Sequence, residues 1–264
     1  MKIGIVGNGA VGNTTATGFR AKGHDVYTND LKHSEKEKIY DKKFLMDTCD
    51  LIFICVPTPP KLDGTLDTVC VDQAVMELHA VKKQESNNPL IIIRSTVTPG
   101  TTLRLANQFP TLKFASNPEF LRMNHALHDF LHPERIVIGA HDEKIASKVA
   151  EAYVGWDCPI IITDPNTAET IKLVANCFLA YKVAFSCEVA GFCKALGMNA
   201  KEVMDAVCMD SRIGPSHLDP SKGPIPRNSH CLPKDMAGLI RYLEINGYDS
   251  RLLKLAYNVG VEDQ

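Results

Sequence analysis

The sequence lacks the patterns that mark nucleic-acid-binding and membrane proteins. It has no block rich in Lys and Arg, and 29 basic against 31 acidic residues give a formal net charge of -2. A basic footprint for nucleic acid or for an anionic membrane surface is therefore missing. No apolar run approaches the roughly 18 residues that a membrane span needs. We therefore expect neither a nucleic-acid partner nor a membrane partner.

Paired cysteine motifs, a leader sequence and internal repeats are also missing. The nine cysteines show no CxxC or CxxxC spacing, and the chain begins with a strand pattern instead of a signal peptide. An odd number of scattered cysteines is typical of reduced thiols, so we predict a cytoplasmic protein. The segment 219–229, rich in Pro, Ser and Gly, is predicted to be an exposed loop.

Short apolar runs separated by helical stretches are present instead. This alternation predicts an α/β doubly wound sheet of buried parallel strands, because parallel strands need crossover connections that cover both faces. We expect this domain at 1–163 and a helical central domain, without further strands, at 164–264. The long amphipathic run 167–196 predicts one helix whose apolar residues exceed one stripe, which favours a homodimer. The predicted strands are 2–6, 24–28, 51–56, 90–94, 113–115, 135–139 and 159–163.

A GxGxxG motif, formed by Gly7, Gly9 and Gly12, lies between the first predicted strand and a helix, and Asp30 ends the next strand. The first glycine permits a tight turn, the second lets backbone approach a pyrophosphate, and the third lets helix and strand pack closely. The helix N-terminus offers amide hydrogens to the phosphates. Asp30 is expected to bind the adenosine ribose and to repel a 2′-phosphate. The pattern predicts a Rossmann-type NAD site, the alternative being a glycine-rich turn without a ligand.

Seven longer segments follow in a characteristic order. They are CVPTPP at 55–60, STVTPGTT at 95–102, NPEFLR at 117–122, ERIVIG at 134–139, ETIKLVANCFLAYKVAF at 169–185, DSRIG at 210–214 and CLPKD at 231–235. Together these segments resemble the UDP-glucose/GDP-mannose dehydrogenase family over nearly the whole chain.

The resemblance implies an oxidoreductase that oxidises the C6 alcohol of a nucleotide sugar twice with NAD, as in the conversion of UDP-glucose to UDP-glucuronate. After the first oxidation, a thiolate can add to the aldehyde and hold the carbon for the second. The resulting thioester is hydrolysed by water to the acid. Cys231 is the predicted nucleophile, the alternative being one more reduced structural cysteine.

Five further residues have roles that the resemblance implies. Lys172 and Asn176 lie four apart on one helix face, and in the family such a pair stabilises an oxyanion; the alternative is a solvated helix face. Glu119 follows an apparent strand end and would help activate the hydrolytic water. Asp235 would order a water or tune Lys172, and Thr96 would lie near sugar and cofactor. Either of these two could instead be a turn or cap residue.

Further contacts complete the expected site. Arg212 matches an arginine that reaches a nucleotide sugar in a neighbouring subunit, the alternative being a surface salt bridge, and Lys234 is a candidate substrate contact. The cofactor contacts implied are Gly7, Gly9, Ala10, Val11, Gly12, Asp30, Val56, Pro57, Thr58 and Thr96. The substrate contacts implied are Glu119, Phe120, Leu121, Lys172, Asn176, Arg212 and Cys231.

Some features depart from the family pattern. Relatives usually continue into a third, UDP-binding domain, so we expect that domain to be absent and the uridine contacts to be lost or replaced. The glycine-rich stretch before the cysteine reads IPRNSH at 225–230, which adds Arg227 and His230 as candidate phosphate partners. Histidines at 125, 128 and 132 have helical metal-site spacing, but no acidic or cysteine ligand flanks them suitably, so we predict no metal site.

Two other functions fit the same residues. One is a two-electron hydroxyacid dehydrogenase in which Lys172 and Asn176 handle one alcohol and Cys231 is dispensable. The other is an NAD-binding remnant without turnover. The joint survival of Cys231, Lys172 and Glu119 favours the double oxidation over the remnant.

Overall fold

The computed structural model describes residues 1–31, 39–82, 88–227, 229 and 231–262. The chain divides into two compact units. Unit one comprises Met1–Thr58 and Asp67–Lys172, and unit two comprises Pro59–Leu66 and Leu173–Gln264. The division falls inside the long helix instead of just before it, and a short piece of the first half belongs to the helical unit. The domain limits expected at 163 and 164 stay a prediction.

Unit one is built on a seven-stranded sheet of the doubly wound type. Its strand order is β2-β1-β3-β4-β5-β6-β7, so the chain crosses over after β2 and continues outward on the other side of β1. All seven predicted strands are confirmed, with ends that differ by at most two residues. The strands are β1 (Lys2–Val6), β2 (Asp25–Asn29), β3 (Leu51–Ile54), β4 (Leu90–Ile93), β5 (Lys113–Ser116), β6 (Ile136–Gly139) and β7 (Ile160–Thr163).

Among the described residues, six α-helices lie entirely within unit one, and hydrophobic clusters cover both faces of its sheet. Neighbouring residues of a strand point to opposite faces, so Ile91 and Ile92 of β4 belong to different clusters. Because both faces are buried, the strands read as continuous apolar runs. The helices are α1 (Ala10–Ala21), α2 (Lys42–Thr48), α3 (Val69–Ala80), α4 (Thr101–Gln108), α5 (Ala126–Leu131) and α6 (Glu143–Glu151).

The expectation of buried parallel strands is wrong at one side of the sheet. Strand β6 runs antiparallel to β5. The connection between them contains a short turn and α5, whose Phe130 packs on Gly18 of α1. Strand β7 pairs only with β6 and forms the edge. Ile160, Ile161 and Ile162 are between 38% and 54% exposed, so neither face of this edge strand is fully covered.

Unit two is helical, as predicted. One face of the long helix contributes small apolar side chains to a core that includes Leu173 and Ala184, and Met236 and Leu239 pack against them. The expectation of no further strands is wrong, because two two-residue strands pair there in parallel; they are too short to show a strand period. The elements are α7 (Pro165–Ala195), which begins in unit one, α8 (Ala200–Val207), β8 (Ile225–Pro226), α9 (Leu232–Ile245), α10 (Arg251–Gly260) and β9 (Val261–Glu262).

Helix α7 is more apolar than the sequence pattern indicated. Its most apolar window of 18 residues has a mean hydropathy of 1.4, and 39% of that window is buried. By length and composition it passes a test for a membrane-spanning helix. Core helices of soluble proteins pass the same test, so the composition of α7 does not by itself indicate a membrane.

Candidate active site

The glycine turn between β1 and α1 has the geometry that the motif predicts. Gly7 adopts a φ of 91°, which L side chains rarely adopt. A Cβ on Gly12 would lie 1.8 Å from the Gly7 carbonyl oxygen, whereas a Cβ on Gly9 would meet nothing within 4 Å. The turn is therefore closed at Gly7 and Gly12 and open at Gly9, where α1 begins with unpaired backbone amides. This opening fits a pyrophosphate.

Asp30 lies beside this turn. It directly follows β2, and its carboxylate accepts a hydrogen bond from the backbone N–H of Asn8 at 2.5 Å. The glycine turn thus holds the carboxylate at the end of β2, where the ribose of a dinucleotide is bound in this fold. An open glycine, a helix N-terminus and a fixed carboxylate together suit an NAD molecule.

The expected cofactor residues beyond the turn lie after β3 and β4. The Ser95 hydroxyl donates to the carbonyl oxygen of Val56 at 2.7 Å, and the Thr58 hydroxyl donates to that of Thr96 at 2.7 Å. These two hydrogen bonds join the segments that follow neighbouring strands. Val56, Pro57, Thr58 and Thr96 therefore share the carboxyl edge of the sheet, where ligands bind in open α/β folds.

Lys172 and Glu119 form a buried ion pair in unit one. The Lys172 ammonium lies 3.0 Å from Glu119 Oε1, and the two side chains are 6% and 12% exposed. Glu119 Oε2 also accepts from the backbone N–H of Leu121 at 2.6 Å. Burial alone would raise the pKa of Glu119, but Lys172, the Leu121 N–H and Arg94 together hold it below its ordinary value. Lys172 also lies 5.7 Å from the ring centroid of Phe120.

Arg94 and Asn117 are site-supporting residues that the sequence reasoning missed. Arg94 is 5% exposed, and its guanidinium donates to Asn117 Oδ1 at 2.7 Å and to the Thr15 hydroxyl of α1 at 2.9 Å. The Tyr153 hydroxyl donates to the same Asn117 oxygen at 2.5 Å. This network holds the turn that carries Glu119. An arginine directly after the apolar run of β4 was the available signal.

In unit two, Asn176, Asp235 and Lys234 form a hydrogen-bonded chain. Asp235 is 1% exposed; it accepts from the Asn176 amide at 2.6 Å through Oδ2 and from the Lys234 ammonium at 2.6 Å through Oδ1. The solvated-face alternative for Lys172 and Asn176 is wrong, since both residues are buried. Both side chains are buried because each has a carboxylate partner.

Cys231 immediately precedes α9 and is exposed. All nine cysteines lie in the described part of the chain, and only Cys70 is also exposed. Burial, the largest influence, raises the pKa of Cys49, Cys55 and Cys177 to about 12, which makes these thiols unreactive. Accessibility at the start of a helix therefore distinguishes Cys231 from the buried cysteines.

The remaining arginine candidates lie elsewhere in unit two. Arg212 is 87% exposed and forms a salt bridge with Asp210 at 2.5 Å, which agrees with the surface salt bridge considered above. Arg227 donates to the Tyr257 hydroxyl at 3.1 Å and lines a cavity of about 420 Å³ together with Arg241 and Lys254. His230 lies outside the described residues.

Each unit thus has its own group of candidate site residues. Unit one has a dinucleotide edge and a buried ammonium–carboxylate pair. Unit two has an accessible thiol at a helix start and a buried amide held by a carboxylate.

Comparison with known proteins gives a consistent result. Residues 34–157 match the NAD binding domain of the UDP-glucose/GDP-mannose dehydrogenase family, and residues 166–260 match its central domain. The cofactor expectation, NAD, and the resemblance read from the motifs are thereby confirmed.

Individual relatives agree with the domain matches. The chain is 30% identical to a UDP-glucose 6-dehydrogenase of Haloferax volcanii over 98% of this chain and 69% of that protein. It is 30% identical to a GDP-mannose 6-dehydrogenase of Pseudomonas aeruginosa over 90% and 63%. A solved UDP-glucose dehydrogenase of Pyrobaculum islandicum is 32% identical, with a TM-score of 0.89 over 98% of this chain and 67% of that one.

The chain covers a smaller share of other curated relatives. The chain spans 54% of a UDP-glucose 6-dehydrogenase of Rickettsia prowazekii, to which it is 35% identical. It therefore covers between about half and about two thirds of the length of these relatives. Two matched domains and these identities show that the chain belongs to the UDP-glucose/GDP-mannose dehydrogenase family.

Proposed function

We propose that the chain catalyses the NAD-dependent double oxidation of the C6 alcohol of a nucleotide sugar, with UDP-glucose as the first candidate substrate and UDP-glucuronate as the product. The observation that carries this proposal is the accessible Cys231 at the start of α9, with the buried Asp235 four residues later in the same helix. A two-electron dehydrogenase has no need of an accessible thiol.

Unit one supplies cofactor binding and acid–base chemistry. NAD, when bound, accepts the two electrons that leave the substrate carbon in each oxidation. Gly9, the first amides of α1 and Asp30 hold its pyrophosphate and ribose. The Lys172 ammonium donates a hydrogen bond to the developing oxyanion, and Glu119, kept ionised by Lys172, takes a proton from the hydrolytic water.

Cys231 supplies the covalent step. Its thiolate adds to the C6 aldehyde, so that a carbon–sulfur bond forms and the carbonyl π electrons move to oxygen. The second oxidation removes the remaining C6 hydrogen with its electron pair and leaves a thioester. Water then adds to the thioester, the carbon–sulfur bond breaks, and the sulfur leaves as thiolate. In sum, a primary alcohol, two NAD and one water give a carboxylate, two NADH and three protons.

Asn176 and Asp235 support this step from unit two. One N–H of the Asn176 amide donates to Asp235, which fixes the plane of the amide. The second N–H of the same group then points in a set direction and donates to the substrate oxygen. The Lys234 ammonium lies 2.6 Å from Asp235 and balances the charge of the buried carboxylate. The uncharged Asn176 amide alone would not balance that charge.

A homodimer through α7 belongs to the same proposal. Phe178, Phe185 and Phe192 recur every seventh residue along the helix, and they are 63%, 49% and 44% exposed. Such a stripe is the pattern that a second helix covers in a twofold pair. In the dimer, the exposed Arg212 of each protomer is available to a nucleotide sugar bound by the other.

A panel of sugar nucleotides tests the proposal. The purified chain is incubated with NAD and, separately, UDP-glucose, GDP-mannose and a UDP-N-acetyl sugar, while absorbance of NADH and the sugar product are followed. We expect a uronate from one member of the panel. Tight NAD binding without NADH formation from any of them would instead identify a binding protein and overturn the proposal.

A further inference from the structure

The beginning of helix α7 is held in unit one by a carboxylate that the proposed chemistry does not use. Glu169 is 2% exposed. Its Oε2 accepts from the Gly100 backbone N–H at 2.7 Å, and its Oε1 accepts from the Thr102 N–H at 2.9 Å and the Thr102 hydroxyl at 2.6 Å. All three donors belong to the N-terminus of α4. Glu169 therefore joins the first turns of α7 to the start of α4.

The chemistry of this contact favours a fixed geometry. The first amides of a helix have no partner within it, and the positive end of the helix dipole attracts a carboxylate. Three donors on two oxygens leave the side chain little freedom. Burial nevertheless raises the pKa of Glu169, against the opposing effect of the hydrogen bonds from Thr102 and Gly100. A buried carboxylate is thus costly here, and what it contributes is orientation more than stability.

The two helices that Glu169 joins carry expected site residues. Helix α4 follows directly on the segment that contains Thr96. Glu169 precedes Lys172 by three residues, so both side chains project from the same side of α7. Lys172 in turn forms the ion pair with Glu119. The hydrogen bonds of Glu169 to Gly100 and Thr102, called the Glu169 clamp below, therefore connect the Thr96 segment to the Lys172–Glu119 pair.

We infer that Glu169 is a positioning residue, which holds α7 against α4 so that the Lys172 ammonium keeps its place beside Glu119 and the Thr96 segment. The kinetic consequences of this role rest on the proposed function. The geometric consequence, a change at Glu119, does not.

Helix α7 also packs against the end of β6, and this second contact does not depend on the Glu169 clamp. A Cβ on Gly139 would lie 2.6 Å from the Ala168 Cβ and 2.7 Å from the Pro165 Cα. The helix therefore packs directly on the end of β6. Without the Glu169 carboxylate, α7 keeps its contact with β6. It loses the hydrogen bonds to α4, which fix how far α7 is rotated about its own axis. We expect Glu169→Gln to fold with Lys172 displaced.

The test compares Glu169→Gln with Asp164→Asn. Asp164 lies just before α7 and accepts hydrogen bonds from the N–H and hydroxyl of Thr167, so both variants weaken the start of α7 but only the first touches α4. Displacing a catalytic group by about 1 Å can cost about 100-fold in rate. We expect Glu169→Gln to lower kcat at least about tenfold, with KM for NAD changed less than about threefold. Asp164→Asn should leave both near wild type.

The titration of Glu119, followed by carbon NMR, gives a readout that does not need turnover. Lys172 and Arg94 hold the pKa of this carboxyl down against the effect of burial, so loss of Lys172 from its position lets the Glu119 pKa rise in Glu169→Gln and not in Asp164→Asn. Thr102→Val, which removes only one of the three hydrogen bonds, should give a smaller shift in the same direction and serves if Glu169→Gln does not fold.

Two results would overturn the inference. One is a Glu169→Gln protein that is less stable yet keeps the wild-type kcat, because Glu169 would then be a stabilising contact only. The other is an unchanged Glu119 titration in Glu169→Gln and Thr102→Val. If the wild type oxidises no nucleotide sugar while Glu119 shifts as expected, the proposed function fails and the positioning role stands.

Discussion

The Lys172 ammonium lies 3.0 Å from a carboxylate oxygen of Glu119, and only 6% and 12% of the two side chains are exposed. Because water reaches neither group freely, each depends on the other for a partner of opposite charge. Removing one leaves a buried, unpaired charge, which costs more than the pair itself contributes.

This dependence predicts the effect of Lys172→Met. Breaking a buried pair on one side typically costs about 3–5 kcal/mol, so we expect a loss of that order in the free energy of unfolding, measured in urea. The double variant Lys172→Met with Glu119→Gln should recover part of the loss. Lys201→Met is the control: Lys201 and Asp205 are 63% and 65% exposed, and such pairs contribute at most about 1 kcal/mol. Equal losses in the two single variants would contradict the buried pair.

The same pair predicts a pH dependence of stability. The Glu119 pKa is below its ordinary value of 4.5 in the folded state, so the unfolded chain binds the proton more readily. The contribution of Glu119 is therefore present above pH 4.5 and lost as pH falls through the folded-state pKa. The unfolding free energy of wild type relative to Glu119→Gln should shrink in acid. Glu169, whose pKa is raised, should show the opposite trend against Glu169→Gln.

Replacing Cys231 separates cofactor binding from chemistry. Because the sulfur forms the covalent bond to C6, Cys231→Ala should form no uronate while the Kd for NAD stays near wild type. Cys70→Ala is the matched control, since Cys70 is the other exposed cysteine. Uronate formation at the wild-type rate by Cys231→Ala would reject the nucleophile.

Asp30 predicts the cofactor preference. Hydrogen bonds to a charged group contribute about 1.5–3 kcal/mol, so Asp30→Asn should weaken NAD binding about tenfold or more and reduce the discrimination against NADP. Titration calorimetry with both dinucleotides measures this, with Asp25→Asn, an exposed aspartate of β2, as the control. An unchanged ratio of the two affinities would show that Asp30 does not contact the ribose.

The phenylalanine stripe of α7 predicts the oligomeric state. Placing a charge at the centre of an apolar interface is costly, so Phe185→Glu should sediment as a monomer where the wild type sediments as a dimer. Val154→Glu changes an apolar residue of unit one that is 77% exposed and should leave the dimer intact. A monomeric wild type would contradict the dimer.

Local rules predict the sheet well and the supports of the site poorly. A Rossmann glycine turn, a strand such as Leu90–Ile93 and the helix ended by Gly197 each have a signature within a few residues of sequence. The antiparallel pairing of Ser116 with Gly139 has no such signature, because both parallel and antiparallel strands of a buried sheet appear as short apolar runs. Likewise, the burial of Lys172 could not be read from its spacing to Asn176.

The missed residues show what kind of information the sequence does not carry. Arg94 contacts Thr15 and Asn117 across 79 and 23 positions of sequence, and Glu169 contacts Thr102 across 67. Each appears in the sequence as an ordinary charged residue. Only the fold shows that its partners are buried beside the residues that the family resemblance had singled out.

The most direct test of the account is the ratio of NADH to uronate, measured with the sugar nucleotide that the chain oxidises and with both products quantified in one reaction. The double oxidation through Cys231 predicts two NADH for each uronate and no accumulated aldehyde. One NADH for each molecule of product, with an aldehyde or ketone in place of the acid, would contradict it.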